Sequence, residues 1–371
     1  MPSIDIRETG IVYRNPKPFL HSRQAFFPTA AQLDDGELVV AMDIGQAFES
    51  VDVRSYLSRS RDGGRSWSEP RIIFSPDESL HPVSTTVRIS RMPGGELLGW
   101  AAQWDRTHTS LGLVNPGTNG FVDMELACLR SDDGGHSWKS RPVDPPFPWR
   151  TFETAGSVQA IDERRRMMPA SLFTRWDGHR HPGIDSVAFV SDDGGRTWDR
   201  GVSLFDFGGE PITAYETRLL RLADGRVMAV TWCNRTDTQQ VLHNHYCLSR
   251  DRGDTFQKPL ASPVHGETNE AIALPGNRVL CVYRRHDKKG LWAHLAQIEG
   301  DRWVPLADRP LWGTEMSARP DDRRGGTLEN LSFLRFGSPS AIELHDGSFF
   351  VVFWCVEECQ SVIRWLTLDV A

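Results

Sequence analysis

The sequence predicts an all-β fold, a six-bladed β-propeller with four-stranded antiparallel blades, on three observations. A short signature recurs along the chain, apolar hairpins recur beside it, and both chain ends supply strands that can close a ring. Such repetition decides the architecture, because each unit can bury its apolar face only against its neighbour.

The signature is Ser-x-Asp-x-Gly-x-(Ser/Thr)-aromatic. Four copies lie about sixty residues apart, at 60–67, 131–138, 191–198 and 249–256. The Asp is placed to accept hydrogen bonds from backbone amides just ahead of it in a tight turn. The Gly supplies a left-handed backbone that other residues resist, and the aromatic folds back beneath. Each copy therefore reads as a stapled outer turn. Glu299-Gly300-Asp301-Arg302-Trp303 reads as a decayed fifth copy.

The second repeat is strand, turn, strand. It occupies 25–43, 85–103, 157–173, 216–232, 269–285 and 338–354, and these six segments are the inner hairpins of six blades. Their turns fall at Asp35-Gly36, Gly94-Gly95, Glu163-Arg164, Asp224-Gly225, Gly276-Asn277 and Asp346-Gly347, mostly hairpin dipeptides. A strand over 361–368 ends the sixth blade, and a strand over 4–13 is expected to complete it. No linker breaks the period, so residues 1–371 are expected to form one domain.

Composition narrows the partners. A net charge of −7 over 371 residues argues against a nucleic-acid or membrane surface. The first residues lack the apolar stretch of a signal peptide, so a cytoplasmic location is expected. Cys128, Cys233, Cys247, Cys281, Cys355 and Cys359 show no metal-ligand spacing and read as reduced thiols. His243-Asn244-His245 lacks a third ligand, and no metal or other cofactor is expected.

Inner-strand ends ring a propeller's central mouth. Among the residues reaching it are Asp43, Arg88, Glu153, Tyr215, Glu216, Arg218, Glu267, Glu270 and Arg284. Such charges need partners among themselves or a ligand. An acidic sugar suits them, because Arg forks a carboxylate and carboxylates move protons. Trp104, Trp232 and Trp354 stand where an indole could stack on a sugar ring or pack one blade on the next.

The signature resembles the Asp-box, or BNR repeat, of the sialidase superfamily. That resemblance implies an active centre at the central mouth, with the boxes at outer turns away from it. Glu216 falls at the position of the glutamate that activates the sialidase tyrosine nucleophile, and Asp52 at that of the acid/base aspartate. Other positions depart. Phe26 stands at the first arginine, with Arg23 three residues earlier. Trp232 replaces the arginine ending the fourth hairpin, Arg284 holds the equivalent place in the fifth, and Ser338 stands at the tyrosine. A tyrosine-nucleophile mechanism is therefore not expected.

The resulting expectation is a glycoside hydrolase acting on a small acidic saccharide. Asp52 is the acid and Glu216 the base or nucleophile. Arg23, Arg218, Arg284, Tyr215, Trp232, His81 and Glu270 bind the substrate. Two alternatives stay open: a uronate lyase using His81, His265 or Tyr215, and a sugar-binding propeller without chemistry. Residues 321–326 read as a lid over the pocket or a plain connection.

Overall fold

A computed structural model of the chain describes residues 2–79, 81–108, 110–181, 186–238, 240–315 and 334–371. The expected lid at 321–326 lies outside the described residues. Among them there is no helix.

After β1 (Ile4–Tyr13), the first blade holds β2 (Gln24–Gln32), β3 (Leu38–Gly45), β4 (Arg54–Ser60) and β5 (Arg71–Ile72). The second holds β6 (Val83–Arg91), β7 (Leu97–Asp105), β8 (Met124–Ser131) and β9 (Lys139–Val143). The third comprises β10 (Phe152–Glu153), β11 (Gln159–Ala160), β12 (Arg166–Leu172), β13 (Ser186–Ser191) and β14 (Arg200–Phe205). The fourth has β15 (Ile212–Arg221), β16 (Val227–Arg235), β17 (His245–Ser249) and β18 (Leu260–Ala261). The fifth has β19 (Gly266–Leu274), β20 (Arg278–Arg285), β21 (Leu291–Glu299) and β22 (Arg302–Trp312). The sixth has β23 (Phe336–Glu343), β24 (Phe349–Glu357) and β25 (Gln360–Val370), and β1 pairs antiparallel with β25 as its outermost strand. The chain ends therefore close the ring as the sequence predicts.

The third blade differs from expectation. Its innermost strand is split into β10 and β11, which both pair with β12. The gap lies beside Pro169 of β12, which has no N–H to give a neighbour. Gly156 fills the gap, where a Cβ would stand 2.6 Å from Pro169 Cγ and 2.7 Å from the Thr217 carbonyl. The hairpin turns also differ in kind. Only Gly276-Asn277 is left-handed at both residues, whereas Gly36, Gly95, Gly225 and Gly347 are so at the second alone.

The signatures are built as predicted. Asp62 accepts from Ser66 N at 2.9 Å, Ser66 Oγ at 2.6 Å and Ser60 Oγ at 2.8 Å. Asp133, Asp193 and Asp251 repeat the pattern. These bonds, those from Ser66 first, hold Asp62 down to about 2. Trp67 Nε1 donates to the Gly64 carbonyl at 2.8 Å, closing the staple.

The turns also tie blade to blade. Arg59 donates to the Gly134 carbonyl of the second box, Arg130 to Gly194 of the third, and Arg165 to Arg252 of the fourth. Arg226 makes the same contact with Gly300 of the decayed fifth turn. In that turn Asp301 pairs with Arg226 and Arg250, and Trp303 donates to His294 instead of a backbone carbonyl. Between these ties lie the apolar seams. Trp100, fully buried, packs edge-on against Phe189 and Trp198 of the next blade. Burial of one such side chain contributes roughly 1.5–3 kcal/mol. No disulfide joins any of the six cysteines, and only Cys359 is exposed.

One recurring irregularity shapes the centre. The innermost strands of four blades carry a register shift, between Phe26 and Thr29, Tyr215 and Arg218, Glu267 and Glu270, and Gly337 and Ser340. Within each shift a non-glycine residue is left-handed: Phe27 (φ 49), Glu216 (φ 47), Thr268 (φ 50) and Ser338 (φ 43). Such backbone costs about 1–3 kcal/mol per residue, and bulges re-aim side chains. All four of these residues line the central cavity.

Candidate functional site

The cavity has a volume of about 230 Å³. Its floor is charged and its walls are aromatic. On one side Phe26, Phe27, Phe48 and Trp354 meet edge to face, Phe26 lying 5.2 Å from Phe48 and 5.5 Å from Trp354. The opposite wall is an arc of Trp104, Phe121, Phe173, Tyr215 and Trp232. Phe121 stacks on Phe173 at 4.0 Å, and Tyr215 on Trp232 at 4.4 Å.

Two glutamates meet beneath these walls. Glu153, from β10, accepts the backbone N–H of Glu216 at 2.6 Å. The Glu216 carboxylate accepts Trp232 Nε1–H at 2.7 Å and faces Ser338 Oγ at 3.5 Å. Burial raises the pKa of both carboxyls. Glu153 is raised further by the charge of Glu216, whereas Arg218, Trp232 and Arg284 pull Glu216 back down. Burial thus favours the neutral form of both carboxyls, and the neighbouring Glu216 charge adds to that effect at Glu153.

Every buried arginine at this centre already holds a carboxylate. Arg88 bonds Asp43 at 3.2 Å and the Phe27 carbonyl at 2.9 Å. Arg284 bonds Glu267 at 2.6 Å and the Phe336 carbonyl at 2.7 Å. Arg218 lies 3.4 Å from Glu270 and donates to the Glu216 carbonyl at 3.0 Å. Burial pushes Asp43 up to about 6, against the pull of Arg88 and Ser55. Arg88, Arg218 and Glu270 plug the axis, since all three line a gap of about 10 Å³ below the cavity. Beyond it a polar channel opens past Gln32, Gln159 and Glu343.

The structure thus unites Glu216, Tyr215, Trp232 and Arg284 of the expected site residues, and sets Arg218 and Glu270 beneath them. Three others stand apart. Arg23 is exposed, its guanidinium 5.5 Å from the Tyr56 ring centre. His81 is half-buried and does not line the cavity. Asp52 is exposed and accepts Gln46 N–H at 3.1 Å. Asp52 therefore does not line the cavity, and the reason is the coil of its loop. Ser50 Oγ accepts Ala47 N–H, and Ser50 N–H returns to the Ala47 carbonyl. That turn presents Phe48 and Glu49 to the cavity and Asp52 to solvent.

Glu49 had no signal in the sequence. Burial raises its pKa, opposed by Arg106 and the Leu113 amide. Glu153 was one of several mouth-facing carboxylates, and only its contact with Glu216 sets it apart.

Residues 36–309 match the BNR repeat-like domain. The chain belongs to this family. No curated protein matches the BNR propeller in sequence. Among solved structures it is similar to a protein of unknown function from Dyadobacter fermentans, at 19% identity and TM-score 0.74 over 100% of both chains. It is similar to the NanB sialidase of Streptococcus pneumoniae, at 13% identity and TM-score 0.67, over 97% of this chain and 70% of that one. An α-L-arabinanase of Penicillium chrysogenum complexed with arabinobiose gives 14% identity and TM-score 0.67 over 98% of both. At such identities the likeness shows the fold, a sialidase-like propeller.

Proposed function

We propose that this BNR propeller is a glycoside hydrolase whose working carboxyls are Glu153 and Glu216. The observation that carries the reading is the meeting of the two on the cavity floor, where Glu153 accepts the Glu216 backbone N–H and its carboxyl feels the charge of Glu216. Two neighbouring carboxyls, one to give a proton and one to act as base or nucleophile, are what glycosidic cleavage needs. Glu153 gives its proton to the departing glycosidic oxygen as the C–O bond breaks. Glu216, held by Trp232, supplies the base or nucleophile at the anomeric carbon. The arabinanase and sialidase folds support the class. Of the bases a lyase would use, His81 and His265 do not line the cavity and Tyr215 does.

The test is hydrolysis of a panel of aryl glycosides and of arabinobiose. Glu216→Gln is expected to lower kcat by about 10²–10⁴-fold on every active substrate. Glu153→Gln should do so on arabinobiose and much less on a 4-nitrophenyl glycoside, whose leaving group needs no acid. Both variants should melt close to the parent. Full activity in Glu216→Gln would refute the assignment. Sugar binding without turnover would make the protein a lectin-like propeller.

A further inference from the structure

We propose that the cavity takes a saccharide carrying no carboxylate, and that its arginines serve structure instead of substrate. The inference rests on the cavity's being the substrate site, and it names the substrate class for that site. It reverses the expectation drawn from the arginines in the sequence.

The first ground is pairing. A guanidinium clamps a ligand carboxylate only with N–H groups it can spare in the right plane. Arg284 spends one Nη on Glu267 and the other on the Phe336 carbonyl. Arg88 spends Nη1 on Asp43 and the Phe27 carbonyl, with its plane 5.2 Å from the Phe27 ring centre. Drawing either guanidinium away towards a ligand would leave a buried carboxylate, Asp43 or Glu267, without its arginine.

The second ground is the sign of the wall. Asp43, Glu49, Glu153 and Glu216 line the cavity against only Arg88 and Arg284. Burial raises all four carboxyls, and a ligand carboxylate beside them would add to a charge the site already resists. The positions where the family resemblance calls for further arginines hold Phe26 and Trp232.

The third ground is what the walls do offer. Buried Asn234 Oδ1, Thr268 Oγ1 and Trp354 Nε1 have no hydrogen-bond partner among the described residues, and all three side chains line the cavity. One acceptor, one hydroxyl and one N–H, all uncharged, suit sugar hydroxyls. Two facing aromatic walls suit the C–H faces of a ring.

The deciding experiment is calorimetric titration of the intact chain at pH 7 with matched sugars. Methyl galactoside is set against methyl galacturonide, and methyl glucoside against methyl glucuronide, with arabinobiose and N-acetylneuraminic acid alongside. The neutral member of a pair is expected to bind at least about tenfold tighter, the equivalent of about 1.4 kcal/mol. In Glu267→Gln, which releases Arg284, the acid member should gain about tenfold while the neutral member holds steady. Asp43→Asn, which releases Arg88, repeats the test should the first variant fail to fold. Acid sugars binding the parent chain as tightly as neutral ones overturns this inference and leaves the hydrolase standing. Binding of no sugar at all removes the saccharide site, and this inference with it.

Discussion

Trp232 does two separable things, and replacing it by Phe removes only one. Its ring stacks on Tyr215 at 4.4 Å, which a phenyl can preserve. Its Nε1–H lies 2.7 Å from Glu216 Oε2, which a phenyl cannot supply. A hydrogen bond to a charged group is worth about 1.5–3 kcal/mol, and one to a neutral group about 1 kcal/mol. The loss therefore weighs more on ionised Glu216 than on protonated Glu216, by about 0.5–2 kcal/mol. The Glu216 pKa should therefore rise further in the variant. Ser338 Oγ, at 3.5 Å, is too distant to compensate.

Stability reports this shift without any substrate. The folded pKa of Glu216 is already raised by burial, and the variant raises it further. Stability tied to the protonated form is present at low pH and lost as pH climbs through the folded value. The destabilisation of Trp232→Phe, from urea unfolding, should thus be about 0.5–2 kcal/mol larger at pH 8 than at pH 4. The acid limb of kcat/KM should move up with it. A destabilisation equal at both pH values would show that the indole only packs, and that Glu216 owes its charge to other groups.

Two further outcomes follow from the same chemistry. Burial raises Asp43 from 3.8 to about 6, so by neutral pH its ionisation removes about 3 kcal/mol of stability, and Glu153, Glu216 and Glu270 act in the same direction. Asp62 does the reverse, contributing stability above its unfolded value of 3.8 that is lost as pH falls through about 2. Urea unfolding from pH 3 to 8 should therefore show greatest stability on the acid side, near pH 4–5, and a steady rise to pH 7 would refute the burial of these carboxyls. In the third box, Asp193 accepts from Ser191 Oγ, Arg196 N, Thr197 N and Thr197 Oγ1. Asp193→Ala should destabilise by about 1–3 kcal/mol without altering ligand binding. A change in affinity at unchanged stability would place the box nearer the chemistry than the fold does.

What could be read in advance follows from how local each determinant is. A box is self-contained: Asp62 meets Ser60 and Ser66 within one turn, so eight residues specify the structure. Ring closure by β1 needs only an apolar strand at each end, and the sequence has both. The split inner strand of the third blade was hidden because Pro169 sits across the sheet from the residues it unpairs. Asp52 and Glu49 were equally indistinguishable, since the coil that turns one out and the other in depends on a serine hydroxyl folding back on Ala47.

The site failed to be legible for a sharper reason. Four residues reach the cavity through left-handed backbone, and none is glycine, so no glycine announces the conformation. Pro28 and Pro339, which follow Phe27 and Ser338, are the only local marks of a bulge within a strand. The same bulges set Glu216 over Arg218 and leave Ser338 facing Glu216 across the ring. Glu216 could thus be placed at the cavity by likeness to a motif, while the charge balance around it could not. Whether an arginine clamps a substrate or a neighbouring glutamate depends on which blade's carboxylate reaches it first. Arg88 of the second blade and Asp43 of the first, joined at 3.2 Å, show that this is a property of the assembled ring.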